Sequence, residues 1–336
     1  MKLFFVGSFA IFFNYTWAQR DDFKNIDFQA ADSIASHYTG YDLTNLPELS
    51  YKLSGPLTTD VEKFRAIYTW VSSNITNDVG DYQVNKKKRE KFHDRPEALR
   101  EWNDEFRKRI FDKLRREKKT VCTGYAWLIA ELSGMADINV KIIDGYGRTA
   151  AVHPGDRPIP NHSWNAVELD NQWYLCDATW SSGGISLKQN TFIADYNDGY
   201  FLADPDLFVL NHYPLDTAWL LTDQKISLED FINGPLVYKH AFTHRIRPVQ
   251  PSEMNIRLVK NESVEFVFEM GQEEVVDKIS IETSRGSYVK TLNPPLERAG
   301  RFYSFSFQPD MKGRFDLHVK VGDEYVISYS VDVRRK

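Results

Sequence analysis

Three residues of types that support thiol chemistry stand out in the chain: Cys122, His162 and Asp177. The cysteine lies in Thr120-Val-Cys-Thr-Gly-Tyr-Ala, at the predicted start of an amphipathic helix. The first turn of a helix has N–H groups without intrahelical partners, and the macrodipole there favours negative charge. Such a position lowers the pKa of a thiol. The alternative is a small buried apolar residue, which most free cysteines are.

The helix around the cysteine has signals at both ends. Thr120 is a residue type that caps helices, and Gly134 is a stop signal just past a predicted end at about Leu132. Tyr125, Ile129 and Leu132 recur at spacings of four and three, which predicts the buried face.

The histidine and the aspartate fall on two predicted neighbouring strands, 162–169 and 172–179. Asp170-Asn171 between them suits a two-residue hairpin turn. If Leu169 pairs with Gln172, His162 and Asp177 project from the same face of the sheet as diagonal neighbours. A carboxylate there would orient the imidazole, whose other nitrogen would face the thiol. Together the three residues predict a Cys–His–Asp triad.

The motifs around these residues resemble a known family. Val121-Cys-Thr-Gly-Tyr-Ala, His162-Ser-Trp-Asn-Ala-Val and Trp173-Tyr-Leu-Cys-Asp-Ala-Thr-Trp are similar to the three catalytic blocks of the transglutaminase-like superfamily. Tyr200-Phe-Leu-Ala-Asp-Pro and Asn211-His-Tyr-Pro-Leu-Asp resemble segments of the branch related to kyphoscoliosis peptidase. The resemblance covers roughly residues 27–240.

The resemblance implies an α+β fold: a papain-like core of helices packed on an antiparallel sheet. It also implies that Cys122 is the nucleophile, His162 the base and Asp177 the orienting carboxylate of a cysteine peptidase or amidase. The backbone N–H of Cys122 is the expected oxyanion donor. The alternatives are a protein-crosslinking transglutaminase and a non-catalytic binding or structural module that retains the fold. No cofactor and no metal are expected.

The second cysteine, Cys176, precedes Asp177 in the same predicted strand and must therefore point to the opposite face. A disulfide between Cys122 and Cys176 would need the two residues to approach from incompatible sides. We expect Cys176 to serve in packing, because two cysteines in 336 residues do not make a disulfide scaffold.

The first residues have the pattern of a secretory signal peptide: Lys2, an apolar run over 3–13, and Ala18 before Gln19. Cleavage after Ala18 would leave a mature chain without a stable membrane span, although an uncleaved N-terminal anchor remains an alternative. A glycan on the sequon at Asn161 would obstruct the predicted cleft, so the sequon is either unused or the host lacks this modification. The sequence therefore predicts a secreted or periplasmic protein, with the bacterial cell envelope as the expected location.

One segment differs in charge from the rest of a chain whose net charge is −5. Between Val79 and Val121 fifteen Lys and Arg stand against nine Asp and Glu. Trp102, Phe106 and Ile110 are part of a helical apolar stripe, so a charged helical insertion is predicted at about 79–119. Its outer face is either simply solvated or a rim that favours acidic substrates or an anionic envelope surface. Interleaved aromatic platforms are absent, so no nucleic-acid partner is expected.

The last part of the chain has alternating short strands separated by turn residues, the pattern of a small immunoglobulin-like β-sandwich. The segment Arg247-Pro-Val-Gln-Pro251 is a predicted linker. The expected organisation is a signal peptide at 1–18, a catalytic domain at 19–246 and an accessory sandwich at 252–336. Expected substrates are peptides, proteins or peptidoglycan stems, and the sandwich is expected either to position the enzyme or to bind a partner, which would be another protein or a glycan.

Overall fold

The structure is a computed structural model that describes residues 19–150, 159–186, 188–271 and 279–334. The predicted signal peptide at 1–18 lies outside these residues and stays a prediction. The helices are α1 (Gln29–His37), α2 (Leu46–Ser54), α3 (Asp60–Asn74), α4 (Val79–Phe92), α5 (Pro96–Glu117), α6 (Cys122–Gly134), α7 (Ala178–Ser182), α8 (Pro205–Phe208), α9 (Leu228–Asn233) and α10 (Lys239–Thr243).

The strands form several sheets, and some of these sheets join strands that are far apart in the sequence. They are β1 (Thr76–Asn77), β2 (Lys119–Thr120), β3 (Val140–Gly147), β4 (His162–Leu169), β5 (Gln172–Cys176), β6 (Gly183–Ser186), β7 (Thr191–Ala194), β8 (His212–Pro214), β9 (Leu236–Val237), β10 (Ile246–Gln250), β11 (Asn255–Val259), β12 (Val264–Met270), β13 (Ile279–Arg285), β14 (Tyr288–Leu292), β15 (Glu297–Ala299), β16 (Phe302–Phe307), β17 (Gly313–Val321) and β18 (Glu324–Arg334).

The first half is a helical layer on an antiparallel sheet with the strand order β5-β4-β3-β8. Helices α3 and α6 pack on each other, and α6 packs on β3 and β4. Their buried faces form one apolar core with one face of the sheet, including Phe64, Leu128 and Val167. This confirms the predicted α+β core.

The predicted start of α3 is confirmed by a capping box. The Thr59 hydroxyl accepts a hydrogen bond from the Glu62 N–H, while the Glu62 carboxylate accepts one from the Thr59 N–H at 3.0 Å. These two bonds satisfy backbone donors that a helix start leaves free. One turn further on, buried Arg65 binds Asp32 of α1 at 2.7 Å, which holds the two helices together.

The charged insertion is a helical hairpin made of α4 and α5. It leaves the core after β1 and returns at β2, and these two strands are paired in parallel, with Asn77 opposite Thr120. Phe106 and Ile110 of α5 are buried against Val121, the residue before Cys122. The hairpin is therefore attached directly beside the predicted nucleophile.

The second half is a β-sandwich of two sheets, with the orders β10-β12-β16-β15 and β11-β18-β17-β13-β14. Phe266 of the first sheet meets Tyr329 of the second edge to face, with ring centroids 5.1 Å apart. The immunoglobulin-like sandwich is thus confirmed.

The expectation of a linker at 247–251 is wrong. Residues Ile246–Gln250 form β10, which pairs with β12, and Ile246 is fully buried. The sequence also did not predict the strands Asn255–Val259 and Glu297–Ala299. The division into two domains at this point stays a prediction.

A single buried core continues from the antiparallel sheet into the sandwich. It includes Ile143 and Trp164 of β3 and β4, Phe242 of α10, and the inner faces of both sandwich sheets. In addition, β9 pairs with β18 of the sandwich. Among the described residues, helices long and apolar enough to cross a membrane are not found.

Candidate active site

The nucleophile candidate is the first residue of α6. The N-cap is Val121, in an extended conformation, and no side chain caps the helix. The prediction that Thr120 caps the helix is therefore wrong. Thr120 belongs to β2, and its side chain lies under the helix start, where a Cβ on Gly124 would come within 2.0 Å of its hydroxyl oxygen. The helix also continues to Gly134, two residues past the predicted end.

The histidine and the aspartate meet because of the register of the β4–β5 hairpin. Leu169 pairs with Gln172 across Asp170 and Asn171, which both have positive φ angles, as a tight hairpin turn requires. The predicted pairing is confirmed. His162 Nε2 lies 2.7 Å from Asp177 Oδ2, and both side chains are buried.

The second strand ends earlier than predicted, at Cys176 rather than at residue 179. Asp177 is instead the N-cap of α7, and its Oδ1 accepts hydrogen bonds from the N–H groups of Thr179 and Trp180 at 2.8 and 3.2 Å. These bonds fix the plane of the carboxylate and leave Oδ2 to face His162.

The thiol of Cys122 completes the arrangement. Its sulfur interacts electrostatically with the His162 ring and with the Ser163 N–H, and both interactions favour the thiolate. Cys122 is partly exposed, whereas His162 is only 8 % exposed. Since His162 Nε2 faces Asp177, the other ring nitrogen, Nδ1, is the one available to the sulfur. The structure brings together all three residues singled out in the sequence.

The electrostatics of the pair favour separated charges. Burial raises the pKa of the Cys122 thiol. The contact with His162 and the imidazolium charge lower this pKa by more than burial raises it, so the net shift is downward from 9.0. Burial lowers the pKa of His162, but the Asp177 charge, the hydrogen bond to Asp177 and the sulfur raise it to about 10. Both shifts act in the direction of a thiolate beside an imidazolium.

Asp177 stays ionised although it is 1 % exposed. Burial raises its pKa, but the charge and hydrogen bond of His162 and the hydrogen bond of His212 hold the pKa well below its usual range. The backbone of Asp177 is also held in place, because the Tyr68 hydroxyl of α3 donates a hydrogen bond to the Asp177 carbonyl oxygen at 2.9 Å.

A glycine allows the imidazole to lie close to the neighbouring strand. A Cβ on Gly147 of β3 would lie 2.9 Å from the Cβ of His162 and 3.2 Å from the Trp180 ring. Any larger residue there would displace the histidine from the carboxylate or the thiol.

The helical hairpin borders the nucleophile. Tyr82 of α4 is half-buried, and burial together with the nearby Cys122 charge raises the pKa of its hydroxyl. Inside the hairpin, Arg109 and Lys113 of α5 form ion pairs with buried Asp81 of α4, and Lys113 also pairs with Asp78. These contacts hold the two helices together.

The two cysteines are free, and Cys176 is fully buried against the helical core. Its sulfur lies 3.7 Å from the Asn165 carbonyl oxygen, on the face opposite to Asp177. The expectation that Cys176 packs in the core without a disulfide is confirmed.

His162, Asp177 and His212 have ligand-type atoms within 4.8 Å of one another, close enough for a metal ion. Within the described residues, however, these atoms are already joined by hydrogen bonds of 2.7 and 3.0 Å to Asp177 Oδ2. We therefore interpret the cluster as a hydrogen-bond network.

A large cavity of about 1220 Å³ lies elsewhere, between the N-terminal segment, the catalytic core and the sandwich. Phe23, Phe201, Arg245 and Arg301 are among the lining residues, and none of Cys122, His162 and Asp177 lines it. The candidate site therefore lies beside α6 and not in this cavity.

Comparison with known proteins agrees with the geometry. Residues 47–178 match the transglutaminase-like superfamily, and the match contains all three site residues. The chain carries a transglutaminase-like domain. The human kyphoscoliosis peptidase is 28 % identical over 256 residues, which cover 74 % of this chain and 35 % of that protein. Drosophila melanogaster hillarin is 27 % identical over 226 residues, covering 63 % of this chain and 25 % of that protein.

The chain thus spans about a third of the length of the human relative. A solved filamin domain of Lin-41 is similar to part of the chain, with 13 % identity, a TM-score of 0.23 and coverage of 31 % of this chain and 99 % of that one. Both named relatives of the transglutaminase-like domain come from animals, which weighs against the expected bacterial envelope location. Secretion stays a prediction.

Sequence reasoning missed several residues that support the site. His212 binds the same carboxylate oxygen as His162, at 3.0 Å, and Tyr68 holds the Asp177 backbone. His212 lies in Asn211-His-Tyr-Pro, which resembled a family segment, but no local pattern pointed to a contact with Asp177. The available signal was that this family-like segment contains a histidine besides His162.

Proposed function

We propose that this protein is a thiol acyl-transfer enzyme that hydrolyses peptide or amide bonds. The observation that carries the proposal is the 2.7 Å contact between His162 Nε2 and Asp177 Oδ2, together with the electrostatic interaction of His162 with the Cys122 sulfur. A nucleophile, a base and an orienting carboxylate in this order is the arrangement that activates a thiol.

The proposed reaction begins with attack of the Cys122 thiolate on the amide carbonyl carbon, which forms a C–S bond and a tetrahedral oxyanion. Cys122 is the first residue of α6, so its N–H has no intrahelical partner and can donate to the oxyanion. His162 gives its proton to the amine as the C–N bond breaks, leaving a thioester. Neutral His162 then takes a proton from water, which attacks the thioester and releases the acid and the thiol.

The second candidate is transfer of the acyl group to an amine, since the transglutaminase-like superfamily includes crosslinkers as well as cysteine peptidases. The first steps are the same, and an amine replaces water in the last one. We favour hydrolysis because water is always present, and we propose peptides and proteins as substrates.

The first experiment tests activation without a substrate. The parent and His162→Ala are treated with iodoacetamide at pH 6, and labelling of Cys122 is followed by peptide mapping. An ordinary thiol is only about 0.3 % ionised at pH 6, so the parent should react up to roughly a hundredfold faster than the variant. Equally slow labelling in both proteins would favour a non-catalytic module that keeps the fold.

The second experiment separates the two reactions. The protein is incubated with a glutamine-rich protein and a labelled primary amine, with Cys122→Ala as the control. Cys122-dependent cleavage or deamidation without label supports hydrolysis, whereas Cys122-dependent incorporation of the amine would make transamidation the function.

A further inference from the structure

Asp177 is shared by two histidines rather than one. Its Oδ2 lies 2.7 Å from His162 Nε2 and 3.0 Å from Nε2 of His212, the first residue of β8. Its Oδ1 is already bound by two backbone N–H groups of α7. The carboxylate therefore has four donors around it, and three of them, His212 included, lie outside the proposed triad.

The His212 ring is held on all sides by aromatic residues. It stacks on Phe208 with ring centroids 4.0 Å apart, and it lies 4.3 Å from the Trp180 ring and 5.1 Å from the Trp164 ring. The side chain is fully enclosed, at 1 % exposure. Such packing leaves the ring one orientation.

The second ring nitrogen belongs to a closed circuit of polar groups. His212 Nδ1 lies 2.6 Å from the Asn211 amide, and this amide lies 3.2 Å from the Tyr200 hydroxyl. The Tyr200 carbonyl oxygen in turn accepts the Asp177 N–H at 3.2 Å. The circuit therefore returns to the residue from which it started.

Counting protons assigns each donor in the circuit. A carboxylate only accepts, so His212 Nε2 must carry a hydrogen, and in a neutral ring Nδ1 must then accept. In the structure Asn211 Oδ1 faces Nδ1 and the Asn211 NH₂ group donates to the Tyr200 hydroxyl. A neutral ring requires the amide to be turned over, so that its NH₂ group donates to Nδ1, and the two ends of an amide have the same shape. Burial lowers the pKa of His212 to about 4 despite the contact with Asp177, in agreement with a neutral ring.

We propose that His212 is a positioning residue: its Nε2–H occupies one direction of Asp177 Oδ2, so that the remaining direction is available only to His162. With Nε2 of His162 held there, its Nδ1 stays directed at the Cys122 sulfur. The inference rests on the proposed function, because it concerns the same thiol. The charged and titratable groups that face His212 are Asp177, His162 and Tyr200.

The test measures Cys122 alkylation by iodoacetamide between pH 5 and pH 9, which needs no substrate. His212→Phe keeps a ring but removes the N–H, whereas His212→Gln can place an amide N–H at the same carboxylate oxygen. Phe305→Leu, in the sandwich core, matches the loss of stability without touching the network. Thermal unfolding of each variant accompanies the labelling.

We expect His212→Phe to lower the labelling rate at pH 6 by about tenfold, the lower end of the usual effect of an outer partner of a functional histidine. His212→Gln should stay within about threefold of the parent, and Phe305→Leu should equal the parent. A His212→Phe rate equal to that of the parent would overturn the inference. So would a His212→Gln rate as low as that of His212→Phe, or a fall of the same size in Phe305→Leu.

The two proposals fail differently. If the parent itself is labelled as slowly as an ordinary thiol, the proposed function fails; if the parent is fast and His212→Phe equally fast, only the role of His212 fails. If His212→Phe does not fold, nitrogen NMR of ¹⁵N-histidine in the parent decides. A His212 ring protonated at Nε2 alone between pH 5 and pH 8 supports the inference, and a ring protonated at Nδ1 contradicts it.

Discussion

The ionisation of Cys122 depends on a balance between burial and its histidine. Burial acts against the thiolate, and the contact with His162 outweighs it. The imidazolium is in turn favoured by Asp177, whose own charge is stabilised by four donors. Each charge in the site is thus stabilised by the next group, so loss of one member should affect the others.

Replacing Asp177 by Asn tests this dependence. The change removes the counter-charge of a buried imidazolium, so we expect the free energy of unfolding to fall by about 3 kcal/mol, as when one partner of a buried ion pair is removed. Labelling of Cys122 at pH 6 should fall as well. Urea unfolding and iodoacetamide labelling measure the two effects, and an unchanged labelling rate would contradict the role of Asp177.

The pH dependence of stability follows from His162. Its folded pKa of about 10 lies above the usual 6.5, so its contribution to stability is fully present below about pH 6.5 and is lost as the pH rises toward 10. We expect the stability difference between His162 and His162→Gln proteins to shrink over this range. The measurement uses urea unfolding in a Cys122→Ser background, where the thiol does not titrate and only the Asp177 contribution to the raised pKa remains, so the loss should be complete below pH 10. A difference that grows with pH would refute the prediction.

Replacing Cys176 should affect the stability of the protein but not the reactivity of Cys122. Its sulfur is fully buried in the helical core, so Cys176→Ala should cost about 1 kcal/mol of stability, a modest loss for a small buried side chain. The rate of Cys122 labelling should not change. A fall in that rate would mean that Cys176 takes part in the site.

The triad was predictable from the sequence because each member lies in a local pattern: a helix start for Cys122 and a two-residue turn for His162 and Asp177. His212 was not predictable in the same way. Its contact with Asp177 joins residues 35 positions apart and depends on β8 lying beside β3 in the folded sheet.

At the scale of elements, the sequence predicted those that local signals define. The capping box of α3 and the register of the β4–β5 hairpin are examples. The cap of α6 was missed because Thr120 is engaged by the distant strand β1. The prolines near residue 250 suggested a linker, but β10 is an edge strand, where missing N–H groups are tolerated.

The helical hairpin gives a prediction with an internal control. Lys113 binds two carboxylates that are nearly inaccessible to water, so Lys113→Met should cost about 2 kcal/mol. Arg116 binds Asp112 at 2.7 Å, but both side chains are about two-thirds exposed, and Arg116→Met should change stability little. Urea unfolding compares the variants, and equal losses would show that burial of the carboxylates does not matter.

At the scale of the whole molecule, the buried core that continues from the sheet β5-β4-β3-β8 into the sandwich predicts cooperative unfolding. Trp164 and Phe208, close to the site, share this core with the inner faces of both sandwich sheets. We therefore expect Phe305→Leu to lower the urea midpoint for tryptophan fluorescence and for exposure of Cys176 to alkylation by the same amount. Two separate midpoints would show that the sandwich unfolds independently.

The parallel pairing of β1 and β2 has a consequence for engineering. The helical hairpin leaves the core after Asn77 and rejoins it at Thr120, and these two residues are paired side by side. The two ends of the hairpin are therefore close enough for a short loop to join them. A compact foreign module, such as a reporter peptide or another recognition element, could be grafted there in exchange for the two helices. Such a module would also have to cover Val121, against which Phe106 and Ile110 of the hairpin are buried, for Cys122 to keep its place at the start of α6.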